Sequence, residues 1–216
     1  MKQAHTRRFL VGALSVAAIV STLNGCAPLV IGGAMMSGMV ATDRRTSGAQ
    51  LDDEGIELRS SSRLSEALGD RGHVNVTSYN RQVLLTGEVP TEQDRQLVEK
   101  TVSGVENVRA IVNELGVMGT TSLTQRSSDA LITGRVKAAM VDAQDIFANS
   151  FKVVTERGTV HLMGRVTQRE ADRATEITRG VSGVQRVVRV LEIISDAELQ
   201  RTLPQPAPAS SSAPKS

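Results

Sequence analysis

The middle of the chain contains the same pattern of hydrophobic and polar positions twice. Each series has apolar residues at helical spacing, two short alternating segments, a second helical segment and a last alternating segment. The pattern predicts two α-β-β-α-β units, at residues 51–118 and 128–195, joined by a linker at 119–127. The repetition is most direct between VLLTGEV at residues 83–89 and VHLMGRV at 160–166.

The first helix of each copy is predicted from its apolar spacing and from a capping residue at its start. The ranges are residues 53–68 and 129–141, and the candidate N-caps are Asp52 or Asp53 and Ser128 or Asp129. The acidic run Asp52-Asp53-Glu54 is interpreted as negative charge placed at a helix N-terminus, where the helix dipole favours it.

Turn residues and caps set the other expected boundaries. Asn80 and Gly158 tolerate positive φ and are predicted to turn the two hairpins. Thr167 and Glu170 have the spacing of a capping box at the start of the last helix. The second helix of each copy is predicted to close on a glycine in the left-handed conformation, at Gly104 and Gly183.

The N-terminus has the layout of a secretory signal peptide over residues 1–25. A basic start is followed by an apolar run that is too short to span a bilayer. The apolar run is followed by Leu23-Asn24-Gly25-Cys26, which resembles a bacterial lipobox. That resemblance implies cleavage before Cys26 and acylation of this cysteine. Ala27 stands where an aspartate would resemble the inner-membrane retention signal, so the implied destination is the periplasmic face of the outer membrane.

Cleavage changes the charge of the chain and the classes of partner that the charge favours. The signal removes three of the 25 basic residues and no acid, which leaves 22 against 23 acidic residues, a net charge of −1. This balance, one tyrosine and no tryptophan argue against nucleic acid as a partner. Residues 26–50 are predicted to be a lipidated tether and residues 196–216 a disordered tail.

The sequence offers no arrangement of reactive side chains that would support catalysis, and we expect no catalytic residue, metal site or cofactor. His73 and His161 have no Cys, Asp or Glu at metal-ligand spacing. Both are predicted to be surface histidines, and His161 is expected to face solvent because it alternates with Val160 and Leu162 on its strand.

The ordered set of motifs resembles the BON domain, and two such domains behind a lipobox resemble the dual-BON outer-membrane lipoproteins, the division- and outer-membrane-associated lipid-binding proteins. The matching segments include Val74–Thr77, Val83–Gly87, Met163–Ala171 and Val181–Val184. The resemblance implies an α+β fold, with a three-stranded sheet and two helices on one face in each domain. It also implies binding of anionic phospholipid and support of outer-membrane integrity, with the division site as one place of action.

The two copies differ in charge, and the difference favours the second copy as the membrane contact. Residues 50–118 carry a net charge of −5 and residues 126–194 a net charge of +3, and anionic lipid attracts basic surface by about 1 kcal/mol per residue. In the first helix of copy two, Ile132, Val136 and Met140 form the core stripe. The residues off this stripe are the predicted phospholipid contacts: Leu131, Arg135, Lys137 and Ala138.

Two other functions compete with lipid binding. The chain could be a protein–protein adaptor in envelope assembly or cell-wall remodelling, using its acidic first copy or an exposed strand edge. An enzyme is disfavoured because no reactive constellation is present. Sedimentation of a soluble fragment of residues 51–216 with liposomes, with and without anionic lipid, separates lipid binding from the adaptor function.

Overall fold

Each copy forms the predicted series of elements, and the computed structural model describes residues 43–202 of the chain. The elements of copy one are α1 (Ser47–Leu68), β1 (His73–Tyr79), β2 (Gln82–Val89), α2 (Glu92–Ser103), β3 (Ala110–Asn113) and β4 (Gly116–Val117). Those of copy two are α3 (Leu123–Asp142), a 3-10 turn (Ala148–Ser150), β5 (Phe151–Glu156), β6 (Thr159–Val166), α4 (Gln168–Arg179) and β7 (Arg186–Ile193), followed by α5 (Asp196–Thr202).

The two sheets have the same topology, with β2 and β6 as central strands. The hairpins make β1–β2 and β5–β6 antiparallel, whereas β3 and β7 pair in parallel with the central strands because a helix returns the chain between them. In copy one the third strand is interrupted, and β4 continues the pairing with β2 at Glu88↔Gly116 and Val89↔Val117. The α+β prediction with two tandem domains is confirmed.

One face of each sheet packs against the two helices of its own copy. In copy one the cluster joins Ile56 and Leu64 of α1 to Val83 and Leu85 of β2 and Val98 of α2. The corresponding cluster of copy two includes Ile132, Val136 and Met140 of α3, Val160 and Leu162 of β6, and Ala171 and Ala174 of α4. The helical and alternating periods of the sequence therefore identify the two cores.

The opposite faces of the two sheets pack against each other. Tyr79 and Leu84 of copy one form one buried cluster with Met163 and Val190 of copy two. The prediction that His161 faces solvent is wrong, because only 2% of this residue is exposed. The alternation correctly placed His161 away from Val160 and Leu162, but that second face is covered by the other copy.

The first helices begin earlier than predicted. The side chain of Thr46 accepts a hydrogen bond from the Ala49 N–H and caps α1, and Ser122 caps α3 in the same way. Residues at the ends of the predicted tether and linker are therefore helical. The predicted caps Asp53 and Asp129 lie inside their helices and have another role, described below.

Of the turn and cap predictions, those for the hairpins and the capping box are confirmed. Asn80 has φ 51° and Gly158 has φ 70°, and Thr167 and Glu170 form the reciprocal bonds of a capping box. The prediction for Gly104 is wrong, because its φ of −83° is not left-handed. Gly183 does have a positive φ of 97°, but it lies in the loop beyond α4, which ends at Arg179.

The start of the predicted tail is also ordered as a helix. Residues 196–202 form α5, so the prediction of disorder is wrong for this part of the tail. The remaining tail, the signal peptide and Cys26 lie outside the described residues.

Candidate lipid-contact surface

Helix α3 presents the predicted residues to solvent and the predicted stripe to the core. Ile132, Val136 and Met140 are all buried against copy two. Leu131 is 62% exposed, and the other three predicted contacts, Arg135, Lys137 and Ala138, are also exposed. The structure therefore brings the four predicted phospholipid contacts together on the outer side of one helix.

The exposed apolar surface of α3 is longer than the sequence indicated. Leu123 in the first turn and Val141 in the last turn are exposed, along with Leu131 between them. Gly134, which has no side chain, and the small Ala138 lie on the same side of the helix and are also exposed. Leu123 was missed because the predicted helix began at Asp129, and the Ser122 cap was the signal that could have extended it.

Arg135 and Lys137 differ from most cations of copy two in having no ion pair among residues 43–202. Arg135 makes only a long contact, 3.5 Å from its Nη1 to the carbonyl oxygen of Ser182. The paired cations of this copy are Lys152, Arg157, Arg165, Arg173, Arg186 and Arg189. The positive charge of α3 therefore remains available to an external anion.

A buried aspartate fastens α3 to the hairpin of its own copy. The carboxylate of Asp129 accepts hydrogen bonds from the backbone N–H groups of Arg157 (2.8 Å) and Gly158 (2.9 Å). Asp53 does the same in copy one, accepting from the N–H groups of Asn80 and Arg81. Each aspartate holds its first helix at a fixed position over the hairpin, and Leu131 follows Asp129 by two residues.

The loop after α4 packs closely on the inner side of α3. A Cβ atom added to Gly183 would lie 3.0 Å from Cγ1 of Ile132, and the φ of 97° at this position is itself unfavourable for other residues. Glycine therefore allows the loop to support the helix directly beneath the exposed surface.

The two histidines lie at the boundary between the copies. His73 is 3.7 Å from Oε2 of the buried Glu88, and burial lowers the pKa of His73. Burial also lowers the pKa of His161, against the opposing effect of Glu114, whose Oε2 lies 3.8 Å from its Nε2. Within residues 43–202 there is no group of three or more His, Cys, Asp or Glu side chains placed to hold a metal ion.

Among the described residues, none of the helices is long and apolar enough to cross a membrane. Cys26, the predicted lipidation site, precedes these residues, so its modification stays a prediction.

Comparison with known proteins identifies the family. The BON domain family matches residues 52–119 and 128–195. The chain is 38% identical over 174 residues to the outer membrane lipoprotein DolP of Haemophilus influenzae, covering 80% of this chain and 90% of that protein. It is 34% identical over 154 residues to the 21 kDa hemolysin of Actinobacillus pleuropneumoniae, covering 70% and 79%.

A third relative shares less of its sequence with the chain. The osmotically-inducible protein Y of Escherichia coli is 29% identical over 148 residues, which are 65% of this chain and 72% of that protein. The two matched domains and the extent of the first similarity lead to one conclusion: this chain belongs to the dual BON-domain outer-membrane lipoprotein family.

Proposed function

We propose that this chain is a non-enzymatic, lipid-anchored protein of the periplasmic face of the outer membrane, which binds anionic phospholipid through its second BON domain. This binding would support outer-membrane integrity, with the division site as one place of action. The observation that carries the proposal is the outer side of α3, where exposed Leu131 lies beside the unpaired cations Arg135 and Lys137. Acylated Cys26 would supply the anchor.

The energy available from this surface matches a protein that is already anchored. Transfer of a leucine side chain from water to the headgroup boundary contributes about 1–2 kcal/mol, and Leu131 is 62% exposed. Arg135 and Lys137 add about 1 kcal/mol each on anionic lipid. The total of about 3–4 kcal/mol corresponds to a dissociation constant of about 1–6 mM, which is weak for a free protein. An anchored protein is confined close to the bilayer, so a contact of this strength is occupied much of the time.

Vesicle sedimentation tests the proposal. Residues 27–216, without the anchor cysteine, should sediment with phosphatidylethanolamine vesicles only when phosphatidylglycerol is present. Leu131→Glu, or Arg135→Glu combined with Lys137→Glu, should abolish this binding while circular dichroism stays unchanged. Binding should also weaken with added salt, because the Debye length falls from about 10 Å at 0.1 M to about 3 Å at 1 M.

Matched controls come from the equivalent helix of copy one. Leu58→Glu changes a leucine of α1 that is 73% exposed, and Arg63→Glu reverses an exposed cation of the same helix. Both variants should bind like the wild type. In cells that lack the chain, the same two controls should restore resistance to a large antibiotic that the outer membrane excludes, whereas the α3 variants should not. Unchanged binding by both α3 variants, or wild-type preference for neutral vesicles, would contradict the proposal.

A protein–protein adaptor is the second candidate, and α1 provides an observation in its favour. Leu51 and Leu58 are 70% and 73% exposed on the outer side of this helix, with exposed Glu54 between them. An apolar surface with a carboxylate suits a cationic protein partner rather than anionic lipid. Loss of barrier function in Leu58→Glu, with vesicle binding intact, would move this function ahead.

A further inference from the structure

The chain is fastened to copy two at the point where the described residues begin. Arg44 is buried, and its guanidinium donates two hydrogen bonds to the Glu170 carboxylate, at 2.8 and 2.7 Å. A third bond runs to the carbonyl oxygen of Arg165 (3.1 Å). Copy one follows Arg44 immediately in sequence, yet these bonds attach the segment to β6 and α4 of copy two.

The same arginine lies beside an exposed apolar corner. The guanidinium carbon of Arg44 is 5.8 Å from the centroid of the Phe147 ring. Phe147 is 56% exposed and Val141, at the end of α3, is 65% exposed. A shallow groove of about 210 Å³ lies between them, lined by Val141, Ile146, Phe147, Ala148 and Asn149. This corner continues the apolar side of α3 beyond the helix end.

The charges near the corner are compatible with an anionic surface. The carboxylate of Asp145 is paired with Arg173 (2.7 Å). Arg169 donates a hydrogen bond to the backbone carbonyl oxygen of Asp145 (3.2 Å) and has no ion pair among residues 43–202. Asp142 is exposed on the last turn of α3 and is the one nearby carboxylate in the described range that no ion pair neutralises.

We propose that Val141 and Phe147 form a second bilayer contact, and that Arg44 holds the exit of the lipid-anchor segment beside it. This inference rests on the proposed function. Residues 27–42 separate Cys26 from the described chain, and an extended segment of that length reaches at most about 60 Å. The bonds of Arg44 fix the place where this segment joins the folded part of the chain, and that place is 5.8 Å from the Phe147 ring. The apolar corner therefore lies at the start of the segment that leads to the anchor.

Single tryptophans can report this contact, because the chain has none of its own. The full lipidated protein carrying Phe147→Trp would be reconstituted into phosphatidylethanolamine–phosphatidylglycerol vesicles with brominated acyl chains. We expect the bromines to quench most of the emission at position 147. Leu131→Trp reports the proposed function, and Leu58→Trp on α1 is the matched exposed control that should keep its emission.

The three reporters separate the possible failures. Quenching at 131 but not at 147 would overturn this inference and leave the proposed function standing. Absence of quenching at both positions would overturn both. Quenching at 147 and 58 to the same degree would show unspecific contact and also overturn the inference.

The role of Arg44 needs its own variant. Arg44→Gln keeps hydrogen-bonding capacity but removes the charge, and in the Phe147→Trp background it should reduce quenching to near the level of the control. Val141→Glu, which leaves the buried ion pair intact, should have the same effect. Circular dichroism and the melting temperature establish that each variant is folded. Unchanged quenching in a folded Arg44→Gln protein would show that the anchor segment needs no fastening, and unchanged quenching in Val141→Glu would remove this residue from the contact.

Discussion

Replacing His161 by leucine should stabilise the protein, because the other copy already has leucine at this position. In the repeat, His161 corresponds to Leu84, and both side chains lie between the two sheets. Neither ring nitrogen of His161 makes a hydrogen bond within the described residues, and the nearest carboxylate oxygen, of Glu114, is 3.8 Å away. The substitution exchanges an unsatisfied polar ring for an apolar side chain of similar size, next to Met163.

The expected gain follows from the cost of burying polar atoms without partners. An unsatisfied buried donor or acceptor costs about 1–3 kcal/mol, so His161→Leu should raise the free energy of unfolding by roughly that amount. For a protein of this size, each kcal/mol corresponds to about 2–4 °C in the melting temperature. The reciprocal change Leu84→His should lower the stability by at least as much.

The pH dependence provides a second measure of the same burial. Burial lowers the pKa of His161, so as pH falls below about 6.5 the unfolded chain takes up a proton that the folded chain does not. Wild-type stability should therefore decrease between pH 7.5 and 5.5, and His161→Leu should decrease less. Urea unfolding at both pH values measures this. A variant less stable than the wild type, or an unchanged pH dependence, would refute the account of the interface.

Three further predictions concern single residues. Asp129→Ala should destabilise the protein by about 3 kcal/mol in urea unfolding, because two N–H groups lose a charged acceptor. Burial alone would raise the pKa of Glu170, but hydrogen bonds from Arg44 and Thr167 lower it to about 2. The ionised carboxylate therefore contributes about 3 kcal/mol to the free energy of unfolding above pH 4.5, and this contribution is lost as pH falls toward 2. Glu170→Gln should make the stability depend less on pH in this range, as measured by urea unfolding. Cys26→Ser should accumulate as precursor retaining residues 1–25, and intact mass of the extracted wild type should show acyl chains.

The sequence could predict which strand residues share a face, but not what covers that face. Alternation separates Leu84 and Thr86 from Val83 and Leu85 without ambiguity. The second face, however, mixes Leu84, Thr86 and the buried Glu88, and such a mixture is also typical of a solvated face. Whether such a face is buried or solvated depends on where the other copy packs, and a local sequence pattern carries no information about that packing.

The outer side of α3 was predictable because it depends on one helix alone. Once the helix is recognised, a period of 3.6 residues places Leu131 off the buried stripe of Ile132, Val136 and Met140. The corner at Phe147 depends instead on Arg44, more than a hundred residues away in sequence, and on an ion pair with Glu170. The buried role of Asp129 was hidden for a similar reason: an acidic residue near a helix start resembles a cap, and its hairpin partners are distant in sequence.

The contacts between the copies also change how their charge difference should be understood. Among residues 43–202, three Lys or Arg ion pairs join the two copies, each with the carboxylate on copy one and the cation on copy two: Glu57–Lys152, Glu88–Arg157 and Glu114–Arg186. Setting these pairs aside moves copy one from −5 to −2 and copy two from +3 to 0. Most of the split therefore serves to hold the two sheets together.

The attraction of copy two to anionic lipid must therefore depend on the positions of its unpaired cations rather than on the net charge of the domain. Arg135 and Lys137 have no ion pair among the described residues, and both are exposed on α3, the helix that also exposes Leu131. On the matching helix of copy one, exposed Leu58 has Glu54 one turn away instead. Duplication buries the sheet face that a single unit would leave open, and it leaves two outer helices free to differ. The same fold can then present one helix suited to anionic lipid and another suited to a different partner.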